Sequence, residues 1–155
     1  MSTRDPNRSS CWDASPFPAS VLLKSLRSGP FGVEGAPLEA LLAGLRGERV
    51  TKPVLFVGSG TCGLGAGADK TLARAQTYCV ERNLDVEFRR VGCIGLCSEE
   101  PVLDVQLPGR TRVSFGNVTA DKVDALLDQV LAGRAPSGAA LGQFPAAGLQ
   151  EWDEI

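Results

Sequence analysis

The chain contains no histidine in its 155 residues, and this absence excludes more than any other feature. Without imidazole there is no Ser-His or Cys-His catalysis and no His-ligated metal site. An excess of one charge is also lacking: 16 Lys and Arg stand against 18 Asp and Glu, a net charge of −2. Nucleic-acid and membrane-surface binders carry a basic patch, so neither partner is expected. No apolar run approaches the ~20 residues that span a bilayer, so no direct membrane insertion is expected. The first residues, which include Arg4, Asp5 and Arg8, lack the apolar core of a secretory signal, and the expected compartment is the cytoplasm. Five cysteines are present, at 11, 62, 79, 93 and 97. An odd count in a chain of this kind argues against a disulfide framework and points to metal or redox chemistry.

The length admits one domain with flexible ends. Residues 1–50 read as an N-terminal arm with short helices, one marked by Leu22, Leu23 and Leu26. The other, from about Pro37 to Arg46, is marked by Leu38, Leu41, Leu42 and Leu45. The core is expected over residues 51–133. Pro53 to Val57 is a continuous apolar run typical of a buried strand. A glycine-rich loop runs from Gly58 to Gly67. Ala68, Leu72, Ala75 and Cys79 then lie on one helical face. Residues 84–90 alternate as a strand, and a second loop spans Gly92 to Pro101. Leu103, Val105 and Leu107 alternate in turn, Pro108-Gly109 makes a turn, and Val113 and Phe115 continue the partner strand. Thr119 is an N-cap for a last helix with Val123, Leu126, Leu127, Val130 and Leu131 inward. Residues 134–155, rich in Gly, Ala and Pro, read as a linker or tail leading into further protein.

The order β-α-β, β-β-α predicts an α/β, thioredoxin-like fold. It is a four-stranded mixed sheet flanked by helices, with an N-terminal helical extension. A right-handed crossover makes the first two strands parallel, and both loops then leave the same sheet edge. Cys62 lies in the first loop, and Cys93 and Cys97 in the second. Three thiols separated by up to 35 residues are therefore expected to converge as a metal or cluster site. Simple packing of buried thiols is the competing reading. Cys79 belongs to the helix stripe and reads as a core residue. Cys11 reads as an incidental exposed thiol.

Thr61-Cys62-Gly63 with Gly67-Ala68 begins a series of recognisable motifs. It continues with Val91-Gly-Cys-Ile-Gly-Leu-Cys97, Glu100-Pro101-Val-Leu-Asp-Val and Gly116-Asn-Val-Thr119. Over residues 51–133 the chain resembles a thioredoxin-like [2Fe-2S] ferredoxin domain. More narrowly, it is similar to the type found at the N-terminus of the flavin-bearing subunit of NADH-oxidising complexes. These include complex I-type NADH dehydrogenases and NAD-linked hydrogenases and formate dehydrogenases. The resemblance implies an electron-transfer module of an NAD(P)H-linked oxidoreductase. Its implied cofactor is a [2Fe-2S] cluster, and its implied partners are a flavin/NADH-binding domain or subunit and other redox subunits. It also implies four cysteine ligands, two per loop. Cys62, Cys93 and Cys97 match three of them, and Val57 stands where the fourth is implied, so the site is incomplete. No complete enzyme active site is expected within these residues.

Two further readings remain. The first is a cluster-free docking domain on the same fold. The second is an NAD(P)-binding βαβ unit, because Gly58, Gly60 and Gly63 spell G-x-G-x-x-G between a strand and a helix. Gly65 and Gly67 weaken the helix start that such a site needs, and Arg89-Arg90 stand where an acidic ribose ligand is expected. Asp69-Lys70-Thr71 resembles a P-loop ending, but Leu64 and Asp69 occupy its glycines. A thiol oxidoreductase using Cys93 and Cys97 would lack the C-x-x-C motif at a helix start.

Overall fold

The computed structural model describes residues 42–44, 46–48, 50–136, 138–153 and 155. By internal contacts the chain divides into Met1–Leu42 and Ala43–Ile155. The arm and the first expected helix lie outside the described residues. Of the second expected helix, residues 42–44 and 46 are described; the first three are helical, and Arg46 lies in a turn.

The second unit is built on β1 (Val54–Gly58), whose five residues are all buried. α1 (Thr61–Ala66) and α2 (Ala68–Glu81) follow, then β2 (Glu87–Val91), β3 (Leu103–Gln106) and β4 (Arg112–Phe115). α3 (Val123–Val130) and β5 (Ala140–Phe144) complete it. The sheet order is β2-β1-β3-β4-β5. β1 pairs in parallel with β2, Val54 opposite Glu87, and antiparallel with β3 on its other edge. β3 and β4 form the expected hairpin. This is the thioredoxin-like layout, a central parallel pair extended by an antiparallel hairpin.

The apolar run of β1 is buried because neighbours flank both its edges and helices cover one face. Leu55 and Val57 point into a core shared with Ala68, Leu72, Ala75 and Cys79 of α2 and Val123, Leu127 and Val130 of α3. The helices are tied across this core. Thr71 Oγ1 donates to Val118 O at 2.7 Å, and Arg74 Nε to Asp124 Oδ1 at 2.7 Å. Tyr78 donates to Asp128 at 2.6 Å, and burial together with that bond pushes its phenol up to about 12. Among the described residues no helix is long and apolar enough to cross a membrane.

Three expectations are corrected. Residues 84–86 alternate but lie outside the ladder, because β1 offers its first partner at Val54, opposite Glu87. Thr119 does not cap α3 directly; turn residues 120–122 intervene, with Lys122 N–H donating to Thr119 O at 2.9 Å. The sheet has five strands rather than four, because residues 140–144, expected within a linker or tail, form β5 against β4. Buried tertiary contacts override the composition there. Trp152 is 4% exposed, and its indole N–H donates to Thr111 O at 2.7 Å. Gln143 Oε1 accepts from the Trp152 N–H at 2.9 Å and from Thr111 Oγ1 at 2.8 Å. A polar Gly/Ala/Pro segment is thereby held by one indole and one amide.

Trp152→Ala is expected to cost about 3–5 kcal/mol, as for other buried large-to-small changes, read as a lower urea midpoint. A linker tryptophan would change nothing. A second expectation concerns Asp104, buried on the face of β3 opposite α2 and α3. Burial raises its carboxyl, opposed by the Ser114 hydroxyl and by Arg112 at 3.5 Å. A carboxyl raised in the folded state disfavours folding while ionised. Its contribution therefore improves as pH falls from neutrality through the folded value towards the ordinary carboxylate range. Asp104→Asn should be as stable as the parent or more so at pH 7, and this advantage should shrink on acidification, measured by urea unfolding at several pH values.

Candidate metal centre

The parallel pairing of β1 and β2 brings two chain segments out at one edge of the sheet. Ser59 N–H donates to Val91 O at 2.8 Å, and Gly58 N–H to Val102 O at 3.0 Å, so the three strand ends are locked together. The chain then enters α1, where a glycine-rich loop was expected. Cys62 is the second residue of this short helix. Gly67, at φ 99°, ends α1 and opens α2. Close approach explains the earlier glycines. A Cβ on Gly63 would stand 2.2 Å from Gly58 O, and one on Gly60 would stand 3.0 Å from the Cβ of Cys93. One on Gly58 would stand 2.8 Å from Glu100 Oε2.

The second segment reverses at Gly95, φ +91°, whose N–H donates to Cys93 Sγ at 3.3 Å. Cys97 begins a single 3-10 turn, Cys97–Glu99. That turn is anchored from the far side of the hairpin. Asn117 N–H donates to Glu99 O at 2.6 Å, and Asn117 Nδ2 to Glu99 Oε2 at 2.9 Å. The buried Glu100 carboxylate accepts from Val102 N–H at 2.8 Å and lies beneath Gly58 and Gly63. Glu99, Glu100 and Asn117 thus position the site, and sequence reasoning gave them no role. Their signal was present, because Glu100-Pro101 and Gly116-Asn117 sit inside the motifs that carry the resemblance.

The sulfurs of Cys62, Cys93 and Cys97 all lie within 4.8 Å of one another, and all three residues are exposed. Cys93 Sγ and Cys97 Sγ are 3.5 Å apart. A tetrahedral metal bonded to sulfur at ~2.3 Å holds its ligand sulfurs roughly 3.8 Å apart, so this pair suits one metal. Hydrogen bonding to Cys62, then to Cys93, pushes the Cys97 thiol up to about 12. Three thiolates cannot share so small a volume without a cation to neutralise them, which is the electrostatic condition a metal satisfies. Cys79, by contrast, is 3% exposed in the core against α3, and burial pushes its thiol up. Val57 is fully buried and offers no donor atom. Cys11 lies outside the described residues. The described residues therefore fit three of the four terminal thiolates of a [2Fe-2S] cluster.

The G-x-G-x-x-G glycines are accounted for by packing. Where a dinucleotide's pyrophosphate would approach Gly58 and Gly63, the Glu100 carboxylate already sits. Arg90 pairs with Asp69 at 2.9 Å and Arg89 with Glu87 at 2.6 Å, so neither waits for a phosphate.

No family model matches the chain. It is 28% identical over 85 residues to the NADP-reducing hydrogenase subunit HndB of Solidesulfovibrio fructosivorans, a match covering 54% of this chain and 68% of that protein. Among solved structures it is similar to the wild-type thioredoxin-like [2Fe-2S] ferredoxin from Aquifex aeolicus, with TM-score 0.48 and 17% identity. That match covers 60% of this chain and 99% of that one. A cysteine-to-serine variant of the same ferredoxin gives TM-score 0.49 and 18% identity, over 58% of this chain and 98% of that one.

Two glycines of α1 give a paired expectation. Gly63→Ala forces a methyl against the Gly58 carbonyl and should cost about 1–3 kcal/mol while weakening metal retention. Gly65→Ala meets nothing within 4 Å. It should add about 0.5–1 kcal/mol and leave metal binding unchanged. Urea unfolding and metal analysis of both variants check this.

Proposed function

We propose that the domain is an electron-transfer module of an NAD(P)H-linked oxidoreductase and that Cys62, Cys93 and Cys97 hold a [2Fe-2S] cluster. The carrying observation is the convergence of three exposed sulfurs within 4.8 Å at one end of the sheet. The similarity to a subunit of an NADP-reducing hydrogenase supports the setting. Such a cluster, when bound, supplies one-electron transfer. Cys93 and Cys97 would hold one iron, and Cys62 would hold the other. Gly95 N–H, donating to Cys93 Sγ, favours the more negative charge of the reduced state and so raises the potential.

The partners in this reading are a flavin/NADH-binding domain or subunit and other redox subunits, met at the exposed cysteine edge. Leu64, Ile94 and Leu96, exposed at 45%, 54% and 45%, belong to the same two cysteine segments. Cys93 and Cys97 would oxidise to a disulfide in an oxidising compartment, so a reducing one such as the cytoplasm suits them. That the described residues bring together three thiolates rather than four favours one other reading, a docking scaffold that has lost its cluster.

Anaerobic reconstitution of the full chain with iron and sulfide tests the proposal. Two irons and two sulfides per chain, with visible absorbance, are expected. Cys93→Ser and Cys97→Ser should each lose most of the iron. Cys79→Ala should keep it at a stability cost of about 1 kcal/mol. Zinc alone, or no metal at all, would leave the docking scaffold.

A further inference from the structure

Cys62, Cys93 and Cys97 place their sulfurs within 4.8 Å of one another, and the Cys93–Cys97 pair is 3.5 Å apart. With metal–sulfur bonds of ~2.3 Å, three sulfurs in a plane around a single ion stand roughly 4.0 Å from each other. The spacing in the fold is that of ligands sharing one centre. Cys62 need not move away from the other two, as it would to serve a second metal.

The segments that carry the sulfurs are fixed by the protein itself. Gly60 abuts Cys93, Ser59 N–H donates to Val91 O at 2.8 Å, and Asn117 holds Glu99 two residues beyond Cys97. Gly95, at φ +91°, reverses the chain between Cys93 and Cys97, whose sulfurs then meet. Little has to be ordered when an ion arrives, so little binding energy is lost to ordering.

The donor set decides which ion fits, and it is sulfur alone. The chain has no histidine, and among the described residues no carboxylate oxygen joins the three sulfurs. The nearby oxygen donors are engaged elsewhere. Ser59 Oγ donates to Val57 O at 3.2 Å, and the Glu100 carboxylate accepts from Val102 N–H at 2.8 Å. Zinc in closed sites is almost always four-coordinate, and three thiolates leave it short. Monovalent copper is softer, is selected by thiolates, and is satisfied by three sulfurs in a plane.

We infer that the metal-free chain binds one monovalent copper ion on Cys62, Cys93 and Cys97. The thiol protons pass to solvent on binding, and no oxidation state changes. This site goes beyond the cluster reading and does not depend on it. Both use the same sulfurs, so the ion and a cluster exclude one another.

The experiment uses the full chain, stripped of metal and kept anaerobic with a phosphine reductant, with no iron or sulfide present. Monovalent copper is titrated against bathocuproine disulfonate, a copper-selective chelator. The titration is run on the parent chain and on Cys62→Ser, Cys93→Ser, Cys97→Ser, Cys79→Ala and Cys11→Ser. X-ray absorption at the copper edge counts the sulfur neighbours, and gel filtration gives the particle mass. The expected result is one copper per single-copy particle, with three sulfur neighbours, that an equal amount of zinc does not displace. Each of the three serine variants at the site should lose affinity by more than about a hundredfold, beyond what changes around the ligands cost. Cys79→Ala and Cys11→Ser should bind as the parent does. Two sulfur neighbours, with Cys62→Ser binding as the parent does, would confine the ion to Cys93 and Cys97 and overturn the inference. So would loss of binding in Cys11→Ser, copper found only in a particle of twice the mass, displacement by zinc, or no copper retained against the chelator. The X-ray measurement is made on the parent chain and stands even where a variant fails to fold. Because iron is absent throughout, a negative result here leaves the cluster reading intact, and a chain that takes up no iron leaves this inference intact.

Discussion

Gly60 lies so close to Cys93 that a Cβ on the glycine would stand 3.0 Å from that of the cysteine. This contact joins the first cysteine segment to the second, and the rest of the site depends on it. It exists because β1 and β2 are parallel neighbours whose ends are tied by the Ser59-to-Val91 bond. It also requires glycine, since any side chain would push the two segments apart and carry Cys62 away from its partners. Gly58 and Gly63 extend the same constraint downward to Glu100. A pattern that spells a nucleotide-binding fingerprint is here the result of backbone packing against a cysteine and a carboxylate.

The second segment is fixed by different means. Cys93, Gly95 and Cys97 are exposed and contribute nothing to the core. Their conformation is set instead by polar ties on the turn that follows, with Asn117 holding Glu99 across 18 residues and Val102 holding Glu100 from two residues on. The hairpin therefore supports the three-cysteine site as well as closing the sheet. Three thiols then stand together, no positive side chain among the described residues is bonded to them, and the Cys97 proton is held tightly between its neighbours. Ionising all three sulfurs in that volume is what costs electrostatic energy, and a cation is the group that would relieve it.

The far edge of the sheet is held in a similar way. β5 is poor in β-branched residues and carries a glycine at its centre, so little in it favours a strand. Its pairing with β4 rests on Gln143 and Trp152, which return hydrogen bonds to Thr111 and to each other. β4 is thereby covered on the edge that a four-stranded sheet would leave open, which blunts a site of edge-to-edge association.

The sequence by itself determined the central elements. The apolar run of β1, the 4-3-4 stripe from Ala68 to Cys79, the alternation of β3 and the face of α3 are periodic signals, and each produced its element. The assignment of Cys79 to the core followed from the same period. The convergence of Cys62 with Cys93 and Cys97 was legible too, because a right-handed crossover leaves few alternatives. What only the tertiary structure decided has no local period. α1 forms where five glycines between 58 and 67 suggest a loop, because its turn is pressed against Gly58 and Glu100. β5 forms because an indole and an amide reach distant backbone, a choice that composition cannot express. The roles of Glu99, Glu100 and Asn117 depend on contacts across 18 residues or on backbone packed from another strand. Burial and hydrogen bonding at such range are properties of the assembled fold, and no window of sequence contains them.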